Sequence, residues 1–199
     1  MSLSLDELTS SGMHRVVLPP GDAGVHLTLS VLSRLTAEAV KAHPEVWEAT
    51  WKITYKYQQT DEVGQAKALL NYVQSLRWRP DPLTTELVYA PWLVMKNQAG
   101  DCEELTSLLA SMCMVAGFEC RWLVISTVQS KAFHHILLES LINGQWTGME
   151  PSVKSVPLGW IPSGITRALR VPVDNPTSHQ LLKPQQLNLG ARLKALWVI

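Results

Sequence analysis

The stretch Ala99-Gly100-Asp101-Cys102-Glu103-Glu104-Leu105 sets one thiol among three carboxylates, after a glycine and ahead of a long apolar run. Asp101 and Glu104, three residues apart, have the types and spacing of a capping box, which puts Cys102 at the first helical position. There the sulfur meets unpaired backbone N–H groups and the positive end of a helix dipole. That dipole contributes about 0.3–1 kcal/mol, less than one pKa unit at ~1.36 kcal/mol per unit, and the neighbouring carboxylates oppose it. A nucleophilic Cys102 therefore needs an imidazolium beside it and a further polar group to orient that imidazole. His134 and His135 open an apolar run. Adjacent strand residues point to opposite faces, so only one of the two can face the thiol, and parity alone leaves both open.

These residues need elements to position them. Leu29, Leu32, Leu35 and Ala39 recur at helical spacing over 25–41, and Pro44 opens a second helix running to about Tyr57. Val63, Ala66, Leu69, Leu70 and Val73 predict a third over 61–75. Trp78-Arg79-Pro80-Asp81-Pro82 ends this helical part, since each proline removes a donor and biases its predecessor toward extended backbone. A loop with a short turn at Ala90-Pro91-Trp92 then leads to Gly100. Glu103 to Ala116 reads as a helix with Leu105, Leu108, Leu109 and Met112 on one face, stopped at Gly117. Beyond it, 118–127 and 133–142 are rich in β-branched and apolar residues, and Asn143-Gly144 is a hairpin signal. Helices followed by an antiparallel sheet make an α+β domain. After Pro151 prolines recur at 157, 162, 172, 176 and 184, which reads as a chain wrapping the surface.

Composition narrows the function. A chain of 199 residues, 46% hydrophobic, can bury a core without staples, and 17 basic against 17 acidic residues leave no stripe for nucleic acid. Met1–Met13 has neither the basic start nor the apolar core of a signal peptide, and the run 108–117 is too short to cross a bilayer. Cys102, Cys113 and Cys120 are odd in number and lack C-x-x-C spacing, so no disulfide framework, metal site or cofactor is expected. Reduced thiols suit a cytoplasm.

Taken in order, Gly100-Asp101-Cys102-Glu103-Glu104-Leu105, then Gly117 and Arg121, then His135-Ile136-Leu137-Leu138-Glu139, then Trp146-Thr147-Gly148-Met149-Glu150-Pro151-Ser152 resemble the transglutaminase-like superfamily. That family's pattern is a G-x-C at a helix start, a His-x-x-x-Glu strand and a Trp-x-x-x-Asp-Pro-Thr strand. The resemblance runs over about Val25 to Val173. It is closest to the transglutaminase-like proteins of bacteriophage and prophage genomes, with Trp78…Asp81-Pro82, Ala90-Pro91 and Pro157-Leu158-Gly159-Trp160-Ile161-Pro162 as shared features. It implies a papain-like α+β domain over 25–173, between an N-terminal arm over 1–24 and a C-terminal extension over 174–199. It also implies Cys102 as nucleophile, His135 as base, Glu150 as orienting acid, and His134 on the far side of its strand.

Two departures stand out: Glu150 replaces the usual Asp, and Asn97-Gln98-Ala99 lacks the basic residue often found before the glycine. One oxyanion donor goes to the Cys102 N–H, and the second stays open. The implied chemistry is acyl transfer on an amide of a protein or peptide, by a hydrolase or a transamidase according to whether water or an amine takes the acyl group. Cys113 and Cys120 read as core residues, and the tryptophans as packing anchors first, with a groove wall as the alternative for Trp92 and Trp160 in their proline-bracketed loops. The rival is a non-enzymatic phage structural or assembly protein, docking through the apolar end Ala195-Leu196-Trp197-Val198-Ile199, in the host cytoplasm or on the virion.

Overall fold

A helix satisfies its own backbone hydrogen bonds, so it can be buried on every side if its side chains are apolar or their hydroxyls find partners. The helix that begins at Cys102 does this. In a computed structural model describing residues 12–16, 21–81, 86–128, 130, 132–175 and 180–182, Glu104 through Cys113 are all buried. The reading of one apolar face on this helix is too narrow. Its polar positions are matched: Ser107 and Thr36 hydroxyls lie 3.0 Å apart, Ser111 donates to the Ser107 carbonyl at 2.9 Å, and Thr106 donates to the Ile136 carbonyl at 3.3 Å.

The elements run β1 (Met13–Val16), α1 (Asp22–Ala42), α2 (Pro44–Thr54), α3 (Glu62–Ser75), β2 (Arg77–Trp78), β3 (Glu86–Tyr89), α4 (Pro91–Asn97), β4 (Ala99–Gly100) and α5 (Cys102–Val115). They continue with β5 (Cys120–Thr127), β6 (His135–Ile142), β7 (Gln145–Met149), β8 (Ile165–Pro172) and β9 (Gln180–Leu182). α1, α2, α3 and α4 all pack on α5, and β6 closes the remaining side. The main sheet is antiparallel with order β7-β6-β5-β8-β9. Alternation splits the core in two. Trp122, Val124, Ile136, Leu138 and Leu169 pack with the helices, while Leu123, Ile125, Leu137 and Ala168 sit with Ile161 and Ile165 in a second cluster. Among the described residues no helix is long and apolar enough to cross a membrane.

Asn143 and Gly144 have φ of 48° and 74°, the left-handed pair that a tight hairpin requires. The structure differs from the sequence reading in three places. The arm over 1–24 supplies β1, paired with β3, and the first turn of α1, which starts at Asp22 after Gly21 at φ 71°. The expected loop ahead of Gly100 holds β3, β4 and a seven-residue α4. Pro91 at a helix start fixes a helical φ rather than breaking the chain, and Gln98 at φ 53° ends the helix. The chain after Pro151 does not only wrap the surface. β8 is an inner strand between β5 and β9, because its proline falls at the strand end, where the ladder no longer needs a donor. Residues 195–199, which the rival reading expects to dock a partner, lie outside the described residues.

Candidate active site

The start of α5 is fixed by side chains. Asp101 Oδ1 accepts from the N–H groups of Glu103 (3.0 Å) and Glu104 (3.1 Å), its carbonyl accepts from Leu105 N, and Glu104 Oε2 accepts from Asp101 N at 3.1 Å. The capping box is complete. It takes the first-turn amides of Glu103, Glu104 and Leu105, and leaves that of Cys102 as the one the cap does not use. Glu104 also accepts from Tyr89 N at 3.1 Å through its other oxygen, so this buried carboxyl ties β3 to the start of α5. Gly100 is needed here for space: a Cβ would lie 2.9 Å from both Cβ and Oε2 of Glu104.

Burial, then the charge of Asp101, pushes the Glu104 carboxyl up to about 8, against the backbone donors of Asp101 and Tyr89. A folded value above the ordinary 4.5 means the native state holds this proton more tightly than the unfolded chain. The resulting stabilisation is full below about 4.5 and is lost as pH rises through about 8. The stability difference between wild type and Glu104→Gln is therefore expected to shrink across that window in urea titrations. A constant difference would show that Glu104 does not titrate there.

His135 is the first residue of β6, paired with Ile125 on β5. Its Nε2 lies 2.6 Å from Glu150 Oε2, which leaves Nδ1 as the nitrogen available to a thiol. Glu150 follows β7 directly and is fully buried. Its Oε1 accepts from Ser152 N (2.9 Å) and Oγ (2.6 Å), and its carbonyl accepts from Gln74 Nε2 at 2.9 Å, an amide that also holds the Val156 carbonyl. The added methylene of Glu over Asp is thus taken up with both oxygens engaged. Burial opposes ionisation of Glu150, but the His135 contact and the Ser152 hydrogen bonds outweigh it and hold the carboxyl below its usual range.

Cys102, His134, His135 and Ile136 border one cleft of about 660 Å³, together with Asp22, Val25, Leu29, Asp101, Glu103, Val124, Phe133 and Arg167. His134 is not on the far side. It precedes β6, is exposed, and its ring is held by Thr127 Oγ1 (3.4 Å) and the Ala132 carbonyl (3.2 Å). Alternation fails to separate the two histidines because both sit at the open end of the sheet. The bond to Glu150 separates them. Burial pushes the Cys102 thiol well above its ordinary range, and the charges of Asp101, Glu103 and Glu150 add to this, while the Ile136 backbone works the other way. A thiolate near neutral pH therefore needs a cation at the sulfur.

Cys113 and Cys120 are buried, Cys113 beside the Met149 sulfur and Cys120 beside the Ser140 hydroxyl. Trp92 and Trp160 do not line the cleft. Trp92 instead stacks on His43 at 3.6 Å between ring centroids. Gln74 and Ser152 escaped the sequence reading as functional positions. Gln74 falls on the helical period of Ala66 and Leu70, and a polar residue on a buried stripe is a signal that could have revealed it. Among the described residues no cluster of His, Cys, Asp and Glu could hold a metal ion.

Residues 50–151 match the family model of the transglutaminase-like superfamily, a span that takes in Cys102, His135 and Glu150. No curated protein sequence matches the chain. Among solved structures, a candidate protease from Parabacteroides distasonis ATCC 8503 is 15% identical with a TM-score of 0.55, over 83% of this chain and 31% of that one. A candidate cysteine protease from Cytophaga hutchinsonii is 12% identical with a TM-score of 0.44, over 55% of this chain and 37% of that one. Calcium-bound LapG from Legionella pneumophila is 15% identical with a TM-score of 0.43, over 76% and 99%. The chain spans about a third of the length of the first two, and the Parabacteroides likeness supports the α+β fold.

Proposed function

Because the chain belongs to the transglutaminase-like superfamily, we propose that it is a cysteine hydrolase or acyltransferase acting on an amide bond of a protein or peptide. The observation that carries this reading is the placement of Cys102, at a capped helix start, on the same cleft as an imidazole held 2.6 Å from a buried carboxylate. His135 takes the thiol proton, and the sulfur attacks the carbonyl carbon. The Cys102 N–H meets the oxyanion, helped by the dipole of α5. As the C–N bond breaks, His135 gives its proton to the leaving amine, and a thioester remains on Cys102. Water or a second amine then attacks the thioester, gives its proton to His135, and releases the thiol. Glu150 keeps Nε2 occupied and stabilises the imidazolium.

Iodoacetamide tests this. Mass spectrometry of the folded protein is expected to show Cys102 carboxamidomethylated well ahead of Cys113 and Cys120, which are 0% and 5% exposed. Equal labelling of the three, or protection of Cys102 until the protein unfolds, would remove the nucleophile. The phage-assembly reading gives the opposite result in a biological assay: Cys102→Ala would be harmless there and loss of the chain after Ala195 would be null.

A further inference from the structure

The two oxygens of Glu150 have different partners. Oε2 lies 2.6 Å from His135 Nε2, while Oε1 accepts from the Ser152 backbone N–H at 2.9 Å and from the Ser152 hydroxyl at 2.6 Å. A glutamate has one side-chain torsion more than an aspartate, so keeping one oxygen on the imidazole requires that the other be fixed as well. The segment that carries Ser152 is itself anchored. Gln74, buried on α3, donates through Nε2 to the carbonyls of Glu150 and Val156 at 2.9 and 3.1 Å, which ties both ends of 150–156 to one helix. Pro151, between the acid and the serine, is buried and biases Glu150 toward extended backbone. Just before the acid, the Gly148 carbonyl accepts from Gly159 N at 2.8 Å, and Ile161 fills the place where a Cβ on Gly148 would stand. The frame around the carboxylate is therefore fixed from both sides of the chain.

We propose that Ser152 is a positioning residue for the reaction: its hydroxyl fixes the Glu150 carboxylate so that Oε2 stays on His135 Nε2 and Nδ1 is left for the thiol. This rests on the cysteine-nucleophile reading and adds to it a residue that acts through Glu150 and His135 alone. At 2.6 Å the O–H bond has the length of a charge-assisted hydrogen bond to a carboxylate. It is also the contact that a substitution can remove singly, since the backbone N–H stays in any residue but proline.

The probe is iodoacetamide at pH 7, with labelling of Cys102 followed by mass spectrometry. Ser152→Ala is expected to slow labelling about tenfold, the scale of one lost hydrogen bond to a charged group. Ser152→Thr, which keeps the hydroxyl, should restore most of the rate, and Ser152→Val, with the shape of threonine and no hydroxyl, should not. The deciding comparison is His135→Ala against the double variant His135→Ala with Ser152→Ala. With no imidazole to place, loss of the hydroxyl should slow labelling no further, whereas a hydroxyl that only supports the fold would cost the same in either background. Wild-type rates in Ser152→Ala, equal rates in Ser152→Thr and Ser152→Val, or a further tenfold slowing in the double variant would overturn the positioning role alone. A Cys102 rate that His135→Ala leaves unchanged would overturn the nucleophile and its base, and the role of Ser152 with them.

Discussion

Replacing His135 with alanine is expected to slow alkylation of Cys102 at pH 7 by roughly 10²-fold or more, the scale of a lost general base. The sulfur's own surroundings oppose ionisation: burial first, then Asp101, Glu103 and Glu150. The α5 dipole is too small to reverse this, at about 0.3–1 kcal/mol. Without the imidazole the rate should recover only at strongly alkaline pH, where the thiol ionises unaided. His134→Ala should leave the rate near wild type, because its ring is engaged by Thr127 and the Ala132 carbonyl and is not held by Glu150. A larger effect from His134→Ala, with circular dichroism unchanged, would move the base by one residue. A wild-type rate in both variants would mean that the thiol is not activated by either ring.

Replacing Glu139 with alanine is expected to destabilise the fold by about 3–5 kcal/mol, the range for removing one partner of a buried ion pair. Glu139 on β6 is 1% exposed. Its Oε2 lies 2.6 Å from Arg121 Nε and 2.6 Å from Arg170 Nε, and its Oε1 lies 3.0 Å from Arg170 Nη2, which joins β6, β5 and β8 through one carboxylate. Arg121 also stacks 4.0 Å over Trp146. Alanine would leave two guanidinium groups half-buried beside an empty site. In thermal unfolding, the loss should appear as a drop in Tm on the order of 10 °C for a chain of this size.

The same network sets an acid limit. Burial of Glu139 disfavours its charge, but Arg170 and Arg121 prevail and hold the carboxyl below its usual range. Its contribution is therefore present above the ordinary carboxylate value and is lost as pH falls through the lower, folded value. Wild type and Glu139→Ala should converge in stability toward strongly acid pH. A difference that persists there, or a drop in Tm of only a degree or two at neutral pH, would show that the two arginines do not need the carboxylate.

The features written in the sequence are those whose physics is local. Asp101 and Glu104 are three residues apart, and a capping box needs nothing further. Asn143-Gly144 specifies a hairpin through the backbone angles those two residues accept, and Leu29, Leu32 and Leu35 mark a buried helix face by period alone. The family was legible as well, through the motifs around Cys102, His135 and Glu150, which lie within the span that matches it. The fold decided what depends on distant partners. Gln74 meets the Glu150 carbonyl across 76 positions, and Arg167 meets Asp22 across 145. No local pattern encodes such pairs, because they exist only once helices and sheet have packed. Alternation could not choose between His134 and His135, since it describes a strand's interior and both lie at its open end. Prolines misled wherever position in an element mattered more than type: Pro91 starts α4, and Pro172 closes an inner strand. Short spacing accounts for the cap that places Cys102 at the start of α5, and packing between separate elements for the bond that holds His135 on Glu150.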